Sequence, residues 1–321
     1  MLQINRHKLK NIRRKTVITL LYPFLLFFLF LFRWLPIKIT RKFAAFCGKH
    51  FYRLGTKNRE TALANIRKVY GSSLTEEEIV NMAKQAFIES MTGFFDYMAY
   101  SHVKKAKHYF RLVEITGEEH LKKAYQKGKG VICLIPHLSS WEFAAITPPM
   151  LGYETSAASK AMKSYLLENL MIKFRRRRGM KNITREGSYK ALVDVLKKGE
   201  CLILMTDQDT KVKGAFVDFL GFPAYTPLGA SRLLADTDAV LIPMTMTRKK
   251  DGNYRFVIYP EISTIKTNDK ESDLIENTRR QNEVYTEIIR TYPEQWVWMH
   301  RRWKTTPEAY AEFLRKKAER K

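Results

Sequence analysis

Short apolar runs alternate with amphipathic stretches over most of this 321-residue chain. FRLVEITG (110–117), VICLIP (131–136), TSAASKA (155–161), CLILMTD (201–207), AVLIPMTMT (239–247) and YRFVIYP (254–260) have the length and side-chain pattern of strands. Helical spacing of apolar positions predicts helices near 118–127, 140–150, 163–178, 187–198, 228–236 and 270–291. Gly128, Gly130 and Gly199 supply breaks just before two of the strands. Residues 59–100 are helical in pattern, and Ser73, Thr75 and Glu76–Glu78 form a capping-box-like helix start. The alternation predicts an α/β fold, a layered αβα domain around a largely parallel central sheet. No internal repeat or low-complexity linker divides it.

One stretch breaks this rhythm. VITLLYPFLLFFLFLF (17–32) is sixteen residues without a charge, set between RHKLKNIRRK (6–15) and RWLPIKITRK (33–42). As a helix it reaches about 24 Å, short of the roughly 30 Å hydrocarbon core of a bilayer. A plain crossing would place one basic flank on the wrong side. The pattern therefore favours a shallow or re-entrant membrane-anchoring helix, with both ends on the cytoplasmic face, over a tilted single span. The division expected is an anchoring segment at 1–58, a catalytic domain at 59–305 and a basic tail at 306–321, read as a solvated extension.

Charge sharpens this picture. The formal net charge is +25, and residues 1–59 carry fourteen Lys and Arg with no acid at all. More than half the excess thus sits in the first fifth of the chain, where it suits anionic lipid headgroups. No nucleic-acid-binding motif accompanies it, so nucleic acid is not the expected partner. Cys47, Cys133 and Cys201 have no framework or zinc spacing and read as reduced thiols.

Candidate chemistry starts at VICLIPHLSSWEF (131–143). His137 falls just past an apolar strand, where open α/β sheets bind ligands. Ser139 or Ser140 can cap the next helix, which puts Glu142 in its first turn. There it either complements the helix dipole or folds back to support the imidazole as a general base. Asp207 and Asp209 in TDQD (206–209) follow another strand and can face the same cleft. His137, Glu142, Asp207 and Asp209 together make a metal site a rival reading, that of a metal-dependent membrane-lipid hydrolase. FLGFPAYTPLG (219–229) reads as a turn before a helix, with Thr226 a possible hydroxyl donor. WVWMHRRWK (296–304) suits a membrane–water or sugar-phosphate surface, with His300 structural.

HLSSWEF (137–143), RETALANIRKVYG (59–71), FRRRRG (174–179), TDQD…VDFLGFPAYTPLGA (206–230) and PEQWVWMHRRWKT (293–305) occur in this order. In that order they resemble the lysophospholipid acyltransferase superfamily, and within it the lipid A biosynthesis branch of late, lauroyl/myristoyl-type acyltransferases. Gly71 stands where that family commonly has proline. The resemblance implies His137 as base with Glu142 its partner, and no metal or cofactor. It implies attack of a glycolipid hydroxyl on an acyl-carrier-protein thioester, with acyl-CoA the alternative donor. Backbone N–H groups near Ser139–Trp141 are the candidate oxyanion donors. An R-x3-G pattern selects Arg175 for acceptor phosphates, with Arg178 second; Asp207 and Gln208 orient substrate or lock the site loops. The acceptor implied is a lipid A precursor, on the route to lipopolysaccharide. A phosphatidylinositol-mannoside-like glycolipid or a lysophospholipid stays open.

Overall fold

Alternate residues of the central apolar runs point to opposite sides, and each side finds its own helices. The computed structural model describes residues 6–318 except 104, 160, 161, 163, 185–188 and 211, and leaves the side chains of 6–18, 313, 314 and 316–318 undescribed. The described residues form nine strands: β1 Val113–Thr116, β2 Val131–Leu134, β3 Thr155–Ser159, β4 Met180–Thr184, β5 Cys201–Leu204, β6 Gly214–Phe219, β7 Phe222–Pro227, β8 Val240–Arg248 and β9 Tyr254–Ile258. Seven form one sheet in the order β1-β9-β8-β2-β5-β3-β4, parallel except for the β8–β9 pair. Val131 and Cys133 of β2 pack with Phe143 and Ile146 of the helix Trp141–Met150. Ile132 and Leu134 pack on the other face with Tyr285, Ile288 and Ile289 of the helix Lys270–Thr291. This is the αβα layering expected, and it explains why β2 is apolar at every position.

Two features depart from the sequence pattern. β4 (MKNIT) is an edge strand, paired only with β3, so it needs no continuous apolar run. The FLGF stretch is a hairpin turn: β6 and β7 pair from Gly214↔Pro227 to Phe219↔Phe222. Leu220 and Gly221 both have positive φ, +57° and +90°. Such a two-residue primed turn matches strand twist, and glycine accepts its second position freely.

Four long helices, followed by two short turns, precede the sheet among the described residues: α1 Arg6–Trp34, α2 Ile37–Leu54, α3 Thr56–Tyr70 and α4 Glu76–Ala99. Thr75 caps α4, its hydroxyl accepting from Glu78 N while its own N–H donates to the Glu78 carboxylate. α2 lies against α4 through Thr40, Ala44, Gly48 and Tyr52. A β-carbon at Gly48 would stand 2.7 Å from Ile88 Cα, so only glycine permits this approach. Arg41 closes the contact by pairing at 2.9 Å with Asp96, whose carboxylate also accepts from Tyr254 Oη at 2.7 Å.

Among the described residues no helix is long and apolar enough to cross a membrane. The side chains of 6–18, the basic flank among them, lie outside the description. The C-terminal helix Pro307–Ala318 is not simply solvated, because Tyr310 packs 5.0 Å from Tyr225 and 5.8 Å from Phe216, centroid to centroid. The cysteines are free, with Cys133 and Cys201 buried on adjacent strands.

Candidate active site

Strand register brings the chemistry together. Leu134 of β2 pairs with Leu204 of β5, and His137 and Asp207 each lie three residues beyond. They meet at the carboxyl edge of the sheet. His137 Nδ1 lies 2.7 Å from Asp207 Oδ1, and the His137 backbone N–H donates to Oδ2 at 2.8 Å. Trp296 Nε1 donates to the same Oδ2 at 2.9 Å. A carboxylate oxygen only accepts, so this contact selects the Nδ1–H tautomer and leaves Nε2 as the proton acceptor. Asp207 is fully buried while the His137 side chain is 20% exposed. Burial alone would raise the Asp207 pKa, yet the His137 ring and the N–H donors outweigh it and hold the carboxyl below its ordinary value.

The segment after Pro293 completes the edge. Val297 N donates to His137 O at 3.1 Å and Ser139 N to Gln295 O at 2.7 Å, with Leu138 and Trp296 in an antiparallel bridge. Trp296 and Trp298 are wholly buried. The expectation that WVWMHRRWK is a surface patch is thus corrected: two of its three indoles, Trp296 and Trp298, are core, and Trp296 fixes Asp207. Arg302 is equally buried, donating to Tyr225 O and Thr226 Oγ1 at 2.7 and 2.6 Å, and desolvation lowers its pKa to about 10. Thr226 is spent on that contact. His300 is half-buried, and burial lowers its pKa to about 4.

Glu142 does not reach the imidazole. It sits in the first turn of Trp141–Met150, where Arg175 grips it bidentately at 2.6 and 3.1 Å. Arg175 also donates to Asn182 Oδ1 at 2.7 Å. Desolvation works against charge on Arg175, but Glu142 more than offsets it and its pKa is raised. The expected His137–Glu142 partnership is therefore corrected to His137–Asp207, because a planar guanidinium claims both Glu142 oxygens. Asp207, expected to lock loops or orient substrate, is the residue on the ring.

FRRRRG is split by its helix, Tyr165–Arg176. Arg178 turns inward, donating to Val103 O and Tyr100 O at 3.2 and 2.7 Å and lying over the Tyr97 ring. Burial lowers its pKa, and it caps carbonyls rather than facing a substrate. Arg176 and Arg177 are exposed. Gln208 is half-buried beside Asp207. Asp209 is held by Lys304 Nζ at 3.3 Å and Thr305 N at 3.0 Å. With Glu142 on Arg175 and Asp209 on Lys304, the four residues of the rival metal reading do not converge, and no metal-ligand group occurs among the described residues.

The loop between His137 and the helix is tightly held. Ser139 has φ +50°, a left-handed conformation costly for a non-glycine residue. Ser140 occupies the N-cap position but makes no cap; its hydroxyl donates to Gly93 O at 3.0 Å instead. The first-turn N–H groups of Trp141 and Glu142 thus keep no intrahelical or side-chain acceptor from the cap. The Trp141 ring lies 5.6 Å from the imidazole.

A ring nitrogen able to take a proton, a buried carboxylate behind it and a helix start without a side-chain cap define a group-transfer type of site at the edge of an α/β sheet. The family model for bacterial lipid A biosynthesis acyltransferase matches residues 7–305, so the chain belongs to that family and is an acyltransferase. It is 24% identical over 278 residues to a lipid A biosynthesis acyltransferase of Haemophilus influenzae, covering 85% of this chain and 84% of the relative. The lipid A biosynthesis palmitoleoyltransferase of Escherichia coli is 28% identical over 201 residues, 60% of this chain and 62% of the relative. A phosphatidylinositol mannoside acyltransferase of Mycolicibacterium smegmatis is 23% identical over 195 residues, again 60% and 62%.

Proposed function

We propose that this chain is a membrane-bound O-acyltransferase. It moves a fatty acyl chain from an acyl-carrier-protein thioester to a hydroxyl of a lipid A precursor, at the cytoplasmic face of the inner membrane. The observation that carries the reading is the His137–Asp207 pair beside an uncapped helix start, in a chain of this family. His137 Nε2 takes the proton of the acceptor hydroxyl as its oxygen attacks the thioester carbonyl. Asp207 holds the ring and supports the imidazolium. The Trp141 and Glu142 N–H groups receive the oxyanion of the tetrahedral intermediate. On collapse the carbon–sulfur bond breaks, the ester remains, and the imidazolium returns its proton to the departing thiolate. No acyl-enzyme forms.

Glu142 and Arg175 brace each other beside Trp141, and Arg176 and Arg177 are exposed cations suited to acceptor phosphates. The hydrophobic, basic N-terminal segment serves as a shallow anchor on anionic lipid. A second acceptor class, a phosphatidylinositol-mannoside-like glycolipid, is favoured by one observation. Relatives named for it match at 23–24% identity, within the 23–28% of those named for lipid A. Mass spectrometry of membrane glycolipids with and without the gene tests the acceptor: one lipid loses one acyl chain. His137→Ala abolishes transfer while membrane association persists; retained turnover overturns the assignment.

A further inference from the structure

Helix α2 is built inside out for water. Of its four buried residues three are small, Thr40, Ala44 and Gly48, with Tyr52 the one large side chain among them. Its large apolar residues face away: Ile39, Phe43, Phe46 and Leu54 are 51, 40, 55 and 80% exposed. With 3.6 residues per turn, Phe46, Ile39, Phe43 and Leu54 fall in one sector about 80° wide. Lys38, Lys49, Lys42 and Arg53, all exposed, fall in a neighbouring sector about 60° wide. No acid interrupts either stripe.

The apolar stripe is not isolated. Phe43 lies 5.6 Å from both Phe32 of α1 and Phe95 of α4, and Phe94 beside it on α4 is 46% exposed. From α1, exposed Phe28 stacks on Phe32 at 5.9 Å and exposed Phe27 meets Phe28 at 5.8 Å, which extends the aromatic surface. A water-soluble helix buries its large residues and shows its small ones. The reverse order, flanked by cations only, fits acyl chains and anionic headgroups.

We infer that α2 lies in the plane of the membrane surface as a second lipid-contacting helix, its Ile39–Phe43–Phe46–Leu54 stripe among the acyl chains of an anionic leaflet. This rests on the membrane reading above and adds to it that α1 is not the sole contact. Lysines 38, 42 and 49 and Arg53 sit at the headgroups. Phe94 shares the surface, so α4 rests on lipid at the very turn where Gly93 touches the loop after His137.

The test uses the full chain carrying Cys47→Ala and Phe46→Cys, labelled with an environment-sensitive fluorophore and titrated with vesicles. Cys133 and Cys201 are buried and do not compete for the label. The expected result is a blue shift on phosphatidylglycerol-containing vesicles and much less on pure phosphatidylcholine. Phe43→Ser/Phe46→Ser should bind the anionic vesicles at least about tenfold more weakly. Vesicle binding with the probe still in water overturns this inference and leaves the anchor reading standing. Failure of the full chain to bind vesicles overturns both. A probe already shielded without vesicles, at the mass of a dimer, gives the stripe to a second copy and overturns it also.

Discussion

Replacing Asp207 by asparagine tests the site at its most loaded point. Oδ2 accepts two N–H groups, from the His137 backbone and Trp296, while Oδ1 meets only the His137 ring. The amide therefore keeps its oxygen at the doubly used position and turns its NH2 toward Nδ1. Nδ1 then has to accept, the proton moves to Nε2, and the ring presents a donor where a base is needed. Wrong-tautomer placement of this kind lowers kcat by about 10³–10⁴-fold, or roughly 4–5.5 kcal/mol of transition-state stabilisation. Packing barely changes, and loss of one charge-assisted hydrogen bond costs about 1.5–3 kcal/mol in stability. The assay is transfer from a labelled acyl carrier protein to the glycolipid acceptor, with a parallel thermal melt. A folded Asp207→Asn protein within about tenfold of normal kcat would refute the orienting role given to Asp207.

Arg175→Ala leaves Glu142 without its guanidinium in a pocket where both side chains are less than one-fifth exposed, and should cost about 2–3 kcal/mol in a denaturant melt. Glu142→Gln/Arg175→Met should recover part of that loss; no recovery argues against the pair as its source. Gly93→Ala places a β-carbon 2.8 Å from the Ser139 carbonyl oxygen, backbone against backbone. It should destabilise by about 1–3 kcal/mol and lower kcat by displacing the loop after His137; normal kcat in the folded variant counts against that loop's part in catalysis. Burial takes the His300 pKa from 6.5 to about 4, so below pH 6.5 the unfolded chain binds a proton that the folded chain refuses. Stability present above pH 6.5 is then lost between pH 6.5 and 4. After allowance for solvent on the partly exposed ring the loss is about 2 kcal/mol, and His300→Gln should flatten melts across this window.

The layered sheet was readable because β2, β5 and the first half of β8 are covered on both faces and so form unbroken apolar runs. β4 and the β6–β7 hairpin escaped for the opposite reason. An edge strand keeps polar residues, and Phe219–Phe222 read locally as a loop before its pairing was seen. His137 was legible from its place at a strand end. Its partner was not. Glu142 is five residues away in sequence, whereas Asp207 arrives only through the Leu134–Leu204 register. Trp296 was hidden likewise, since alternating aromatic and basic residues look alike at a surface and in a core. The one local sign was that a buried indole N–H needs an acceptor, and Asp207 provides it.

The equal three-residue overhang of His137 and Asp207 makes strand length, rather than strand composition, the gauge of the catalytic pair. Each residue of a parallel strand advances the chain by about 3.3 Å, so one insertion in β2 or β5 moves one partner beyond hydrogen-bond reach of the other. Exchange of one apolar side chain for another leaves the overhang untouched. Relatives that share only 23–28% of their residues with this chain can then diverge widely in the strands and keep the pair in contact.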